Sequence, residues 1–172
     1  METIQINSNE AEKKTVVVGL GELVVSEDPT NVLACLGLGS CVGVCAYDPI
    51  SKIGGMAYIV LPSSKGRHME SSAIYADTAI PMLFREMEKL GADKVRIKIK
   101  LVGGAEILVN PGLKKPLKIG EKIQEVIRAK LTEEGTMWMA ADIGGNYGRS
   151  SRLFINTGKV VINVAGKGEK EL

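Results

Sequence analysis

Three cysteines, one histidine and a set of short glycine runs hold most of the reactive potential of this 172-residue chain. Cys41 closes the segment Leu36-Gly37-Leu38-Gly39-Ser40-Cys41, in which Gly39 and Ser40 leave main-chain amides unscreened by bulky side chains. Unscreened amides beside a thiol are the parts of an oxyanion hole next to a nucleophile. A free thiol with a pKa near ~8.5 is only a few per cent ionised at neutral pH, so such a nucleophile needs a base or a positive charge beside it. The ordinary alternative is a buried cysteine in a strand. His68, the only histidine, sits in the loop after Pro62 with nothing in the sequence that brings it to Cys41, and reads as a surface loop residue.

A metal site built from Cys35, Cys41 and Cys45 fails on spacing. Residues four apart on a strand are separated by roughly 13 Å, so Cys41 and Cys45 cannot share an ion. Cys35 and Cys41 flank the glycine turn, but two thiols fall short of a zinc ligand set. A redox switch between these two would need Cα atoms within about 7 Å. Gly37-Leu38-Gly39 is followed by a strand-like run and not by the helix that would hold a pyrophosphate. The other glycine groups, Gly19-Leu20-Gly21, Gly103-Gly104 and Gly144-Gly145, read as turns. Neither a metal nor a cofactor is expected.

The elements that must position Cys41 follow from periodicity. A polar leader spans residues 1–14, a polar tail spans 166–172, and a single domain of residues 15–165 lies between them, with apolar residues at 45% of the chain. Thr15 to Ser26 reads as one valine-rich strand with a bend at its glycines, and Asp28-Pro29-Thr30-Asn31 as a turn. Val32 to Leu36 and Cys41 to Tyr47 are short strands joined by a tight connection. Ile53 to Leu61 is a central strand covered on both faces. Ala76, Ala79, Leu83, Met87 and Leu90 mark an amphipathic helix that Pro81 should kink or shift and Gly91 should end. Lys94 to Leu101 alternates as a strand whose basic residues solvate a wet face. A long loop at Asn110-Pro111-Gly112 precedes a helix marked by Ile119, Ile123, Val126 and Ile127. Thr136 to Ala140, Leu153 to Asn156 and Lys159 to Val164 are closing strands. Many strands and two main helices imply an α+β fold.

Charge and length exclude several functions. With 22 basic against 20 acidic residues, the chain lacks the basic excess that nucleic-acid binding requires. Residues 1–14 lack the order of a secretory signal, and no apolar run approaches the ~20 residues of a membrane span. A cytoplasmic protein with no membrane insertion is expected, its odd number of cysteines kept as thiols.

Six fragments in register, Gly37-Leu38-Gly39-Ser40-Cys41-Val42, Gly55-Met56-Ala57, Leu61-Pro62, Tyr75-Ala76-Asp77-Thr78-Ala79, Val102-Gly103-Gly104-Ala105 and Asp142-Ile143-Gly144-Gly145-Asn146, give the sequence a resemblance to CheD, the family of bacterial chemoreceptor glutamine deamidases, from about Val16 to Val164. The resemblance implies a single-domain mixed α/β sandwich with two helices packed on sheet. It also implies a cofactor-free chemotaxis hydrolase, with chemoreceptor cytoplasmic helices and a CheC-type phosphatase as partners. In the family mechanism a cysteine thiolate attacks the glutamine side-chain carbonyl, histidine protonates the departing ammonia, and water hydrolyses the thioester. Carried over residue by residue, Cys41 matches the nucleophile, Tyr58 stands at the histidine position and Cys35 at the threonine position. Two functional classes stay open on this reading. One is a deamidase acting through Cys41, aided by Tyr58, His68 or a group on the substrate. The other is a non-catalytic binding module acting on a CheC-type phosphatase or a receptor.

Overall fold

The computed structural model describes residues 12–66, 72–107, 112 and 117–172. The expected leader up to residue 11, His68, and Asn110 and Pro111 of the expected long loop lie outside the described residues. The chain runs β1 (Lys14–Val17), β2 (Leu23–Ser26), β3 (Asn31–Leu38), β4 (Val42–Asp48), β5 (Ile53–Ile59), α1 (Ala76–Lys89), β6 (Lys98–Gly103), α2 (Ile119–Glu133), β7 (Trp138–Ile143), β8 (Arg149–Phe154), β9 (Val160–Val164) and β10 (Gly168–Glu171). Two five-stranded sheets form, one ordered β1-β3-β8-β9-β10 and the other β2-β5-β4-β6-β7.

The layers explain the sequence patterns. In β4, Val42, Val44 and Ala46 join Ile80, Leu83 and Ile123 in a core between the second sheet and the helices. Cys45 joins Leu33, Cys35, Met56 and Leu153 in a second core between the sheets. Every residue of β4 and of β5 is buried, because each strand is central and covered on both faces. Burial on two faces removes the need for polar alternation, which is why Ile53 to Leu61 carries so little of it. α1 buries Ala76, Ala79, Ile80, Leu83, Phe84 and Met87 along one stripe. Pro81 lies in its second turn and forfeits only the bond to the Asp77 carbonyl, so the helix continues through it.

Four sequence expectations are corrected. Thr15 to Ser26 is two strands in different sheets: β1 runs parallel to β3, β2 runs antiparallel to β5, and the chain crosses between them at Gly21, where φ is 71°. The connection between β3 and β4 is as tight as expected, and it carries the chain from one sheet to the other. Lys94 to Arg96 forms a 3-10 turn, capped by the Asp93 side chain accepting from the Val95 N–H. Arg96, expected to solvate a wet face, instead donates to Asp48 through Nε at 3.1 Å and NH2 at 2.8 Å. Burial alone would raise the Asp48 carboxyl, but bonds from Arg96 and from the amides of Asp93 and Ile50 hold it well below the usual carboxylate range. Finally, the polar tail from Gly166 supplies β10, antiparallel to β9, and its short, charged, fully exposed sequence suits an edge strand.

Candidate active site at the sheet crossing

Between Cys35 and Leu38, three steps along β3 face two steps along β8, from Ser151 to Arg149, so β3 carries one extra residue as a bulge. Gly37 supplies the positive φ of 66° that the bulge requires. Its N–H donates to Ser150 Oγ at 3.1 Å. The bulge carbonyls lose ladder partners, and Tyr58 reaches across from β5 to replace them. Its hydroxyl lies 3.1 Å from both the Leu36 and the Gly37 carbonyl oxygens.

From the bulge the chain crosses through Gly39, Ser40 and Cys41 into β4. Its carbonyls are fixed by the glycine turn after β6: Gly104 N–H donates to Cys41 O at 2.8 Å, and Ala105 N–H to Gly39 O at 2.8 Å. Gly103 has a φ of 112°, and a Cβ there would overlap the Cys41 carbonyl oxygen. The turn is braced in its own right, since Gly144 N–H donates to Gly103 O and Glu106 N–H to Gly145 O. Buried Arg149 in turn donates to Asp142 and to the Gly144 and Tyr147 carbonyls. Sequence reasoning read Gly103-Gly104 and Gly144-Gly145 as turns and gave neither they nor Arg149 a role in holding Cys41.

By contrast, among the described residues no acceptor takes the main-chain amides of Gly39 or Ser40. Partial burial pushes the Cys41 thiol up, an effect its own main-chain amide offsets only in part. Cys41 is half-buried, while Cys35 and Cys45 are buried. Burial pushes Cys45 up to about 12 and Cys35 higher still.

The structure thus gathers Cys41, Tyr58 and Cys35 around one point. Tyr58 pairs with Gly43, two residues beyond Cys41, and a Cβ on Gly43 would sit 3.6 Å from the Cys35 Cβ. Burial pushes the Tyr58 hydroxyl up to about 12, and the thiols of Cys41 and Cys35 add to that push. Exposed apolar side chains surround this end of the sandwich: Leu20 before β2, Leu36 on the bulge, Leu61 after β5 and Ile107 after β6. Ile107 reaches within 3.2 Å of where a Cβ on Gly39 would lie. Among the described residues no group of three His, Cys, Asp or Glu could hold a metal ion, and no helix is long and apolar enough to cross a membrane.

Comparison with known proteins bears on this arrangement. A family model described as CheD chemotactic sensory transduction matches residues 60–164, more than half of the chain. The chain is 43% identical over 164 residues to a probable chemoreceptor glutamine deamidase CheD of Symbiobacterium thermophilum, covering 94% of this chain and 99% of that protein. The chain belongs to the CheD family. It is also 40% identical over 154 residues to the chemoreceptor glutamine deamidase CheD of Thermotoga maritima, covering 90% of this chain and 94% of that one. A hypothetical protein of Bacillus licheniformis, YfiH, superposes with a TM-score of 0.42 at 19% identity, over 78% of this chain and 60% of its own. A likeness that low carries no argument. The CheD family match begins after Tyr58, so it contains neither Cys41 nor Tyr58. The chemistry of those two positions rests on their geometry.

Proposed function

We propose that the protein is a chemoreceptor glutamine deamidase of the CheD type that works through Cys41, slowly, without a basic side chain at position 58. The observation that carries the reading is Cys41 itself, the most accessible of three thiols, set beside unpartnered main-chain amides on a crossing clamped by Gly104 and Ala105. Relatives at about 40% identity over nine-tenths of the chain carry the deamidase name. The Cys41 thiolate, its proton lost to water, attacks the glutamine side-chain carbonyl, and the Gly39 and Ser40 amides take the oxyanion. Collapse expels ammonia, which draws its proton from water. A second water hydrolyses the thioester, restoring the thiol and leaving glutamate. The apolar rim of Leu20, Leu36, Leu61 and Ile107 suits a helical receptor segment that presents apolar residues beside its glutamine. Mass spectrometry of a receptor cytoplasmic fragment incubated with the protein tests this: slow conversion of glutamine to glutamate, absent with Cys41→Ala, supports it.

One observation favours a second reading, a binding module that occupies receptor helices or regulates a CheC-type phosphatase. The Tyr58 hydroxyl points its proton at the Leu36 and Gly37 carbonyls, where a general acid would need it free. Saturable binding to the receptor fragment with no conversion even at long incubation would select this reading over the enzyme.

A further inference from the structure

At the end of the sandwich opposite Cys41 the two sheets part around a cavity of about 190 Å³. Its walls are divided by chemistry. Cys45, Leu153 and Val160 form a buried apolar floor, Met139 closes one side, and Lys98 and Lys100 stand at the rim. Among the described residues no aspartate or glutamate lines it.

Both lysines are on the inter-sheet face of β6, since Ile97, Ile99 and Leu101 pack toward the helices. Inward-pointing charge is a device of edge strands, where it blocks pairing with another chain. β6 is flanked by β4 and β7 and has no such edge to protect. Lys100 Nζ donates to the main-chain oxygen of Leu172 at 2.6 Å. The Lys98 side chain is exposed and makes no hydrogen bond or ion pair among the described residues, although its main chain pairs with Tyr47 in the ladder. Low-dielectric walls concentrate the field of a charge at such a rim.

We propose that this cavity binds a small carboxylate with a short, unbranched apolar body, the carboxylate on Lys98 and the body against Cys45, Leu153 and Met139. Its volume lies below the roughly 300–1,000 Å³ of sites that enclose drug-sized ligands, which limits the body to a few carbons. Cys45, pushed up to about 12 by burial, stays a neutral thiol and adds apolar surface to the floor. The lysine pair sits two residues apart, roughly 6.6 Å along the strand, close enough for Lys100 to turn from Leu172 and share the anion.

The test titrates sodium hexanoate into the full chain carrying ¹³C-methyl methionine, with the Met139 signal assigned by Met139→Leu. A saturable shift at Met139, with Met82 on α1 unmoved, is expected. Hexan-1-ol and inorganic phosphate should bind at least about tenfold more weakly, and Lys98→Gln should weaken hexanoate about tenfold, the loss of one charge-assisted bond. The proposal is overturned by no saturable shift at Met139, by hexan-1-ol or phosphate matching hexanoate, or by unchanged affinity in a folded Lys98→Gln protein.

Discussion

Tyr58→Phe separates what the hydroxyl does for the fold from what it could do for a reaction. The side chain is 5% exposed and its ring belongs to the inter-sheet core, so phenylalanine keeps the packing and removes only the oxygen. That oxygen has one proton to share between two carbonyls, each at 3.1 Å, longer than the ~2.7–2.8 Å of a good O–H···O bond. A net hydrogen bond contributes about 0.5–1.5 kcal/mol, and this geometry belongs at the lower end. Leu36 and Gly37 are exposed, so water can replace the lost donor at both carbonyls. The expected loss is therefore about 0.5–1 kcal/mol, or roughly 1–4 °C in melting temperature for a domain of this size. Urea unfolding measures it, and mass spectrometry of a receptor fragment measures deamidation in parallel. Deamidation should stay within about twofold, because the proton is committed to the bulge. A destabilisation above about 3 kcal/mol, or a rate fall beyond fivefold, would refute the reasoning.

Four further outcomes follow from the same geometry. Tyr58→His, which places an imidazole beside Cys41, should raise deamidation by about 10², the low end of general acid-base catalysis. Iodoacetamide should label one thiol of the native protein, Cys41, and all three in denaturant, read by peptide mapping. Gly103→Ala should cost about 1–3 kcal/mol from backbone strain at a φ of 112° and reduce deamidation further by displacing the Cys41 carbonyl, with Gly135→Ala, at a positive φ but in open space, as the strain control. Stability should fall at both pH extremes. Cys45 and Tyr58, raised from 9.0 and 10.0 to about 12, contribute fully below pH 9 and lose that contribution as pH climbs toward 12. Asp48 and Asp142, held below 3.8, contribute above that value and lose the contribution as pH falls beneath it. Thermal melts across pH 2–11 check both limbs.

Much of the fold was legible because burial leaves a periodic trace. The unbroken apolar runs of β4 and β5 and the three-and-four spacing of α1 each follow from which faces the neighbours cover. Sheet membership was not legible. Gly21 and the Gly39-Ser40-Cys41 segment send the chain from one sheet to the other, and a local pattern reads the same whether two strands pair or face each other across a core. Arg96 looked like one more residue in an alternating stripe because its partner, buried Asp48, is 48 residues away. β10 looked like a tail because an edge strand exposed at every position has no apolar residue to betray it.

At the site, the thiol and its glycine turn were readable from composition alone. The support was not. Gly103 and Gly104 clamp Cys41 through main-chain bonds, and the Gly144-Gly145 turn braces them, so the sequence records only glycines. All four have positive φ, a conformation that glycine permits but does not announce. Tyr58 was placed by family resemblance. Its bond to the bulge could not be foreseen, because the bulge is defined by a register shift between β3 and β8.

The pH dependence of deamidation between pH 7 and 9 tests the central claim most directly. A Cys41 thiol raised above 9.0 and lacking a base should give a rate that climbs about tenfold per pH unit with no plateau below pH 9, and none of it should survive Cys41→Ala. A plateau or maximum near pH 7, or conversion that persists in Cys41→Ala, would contradict the account.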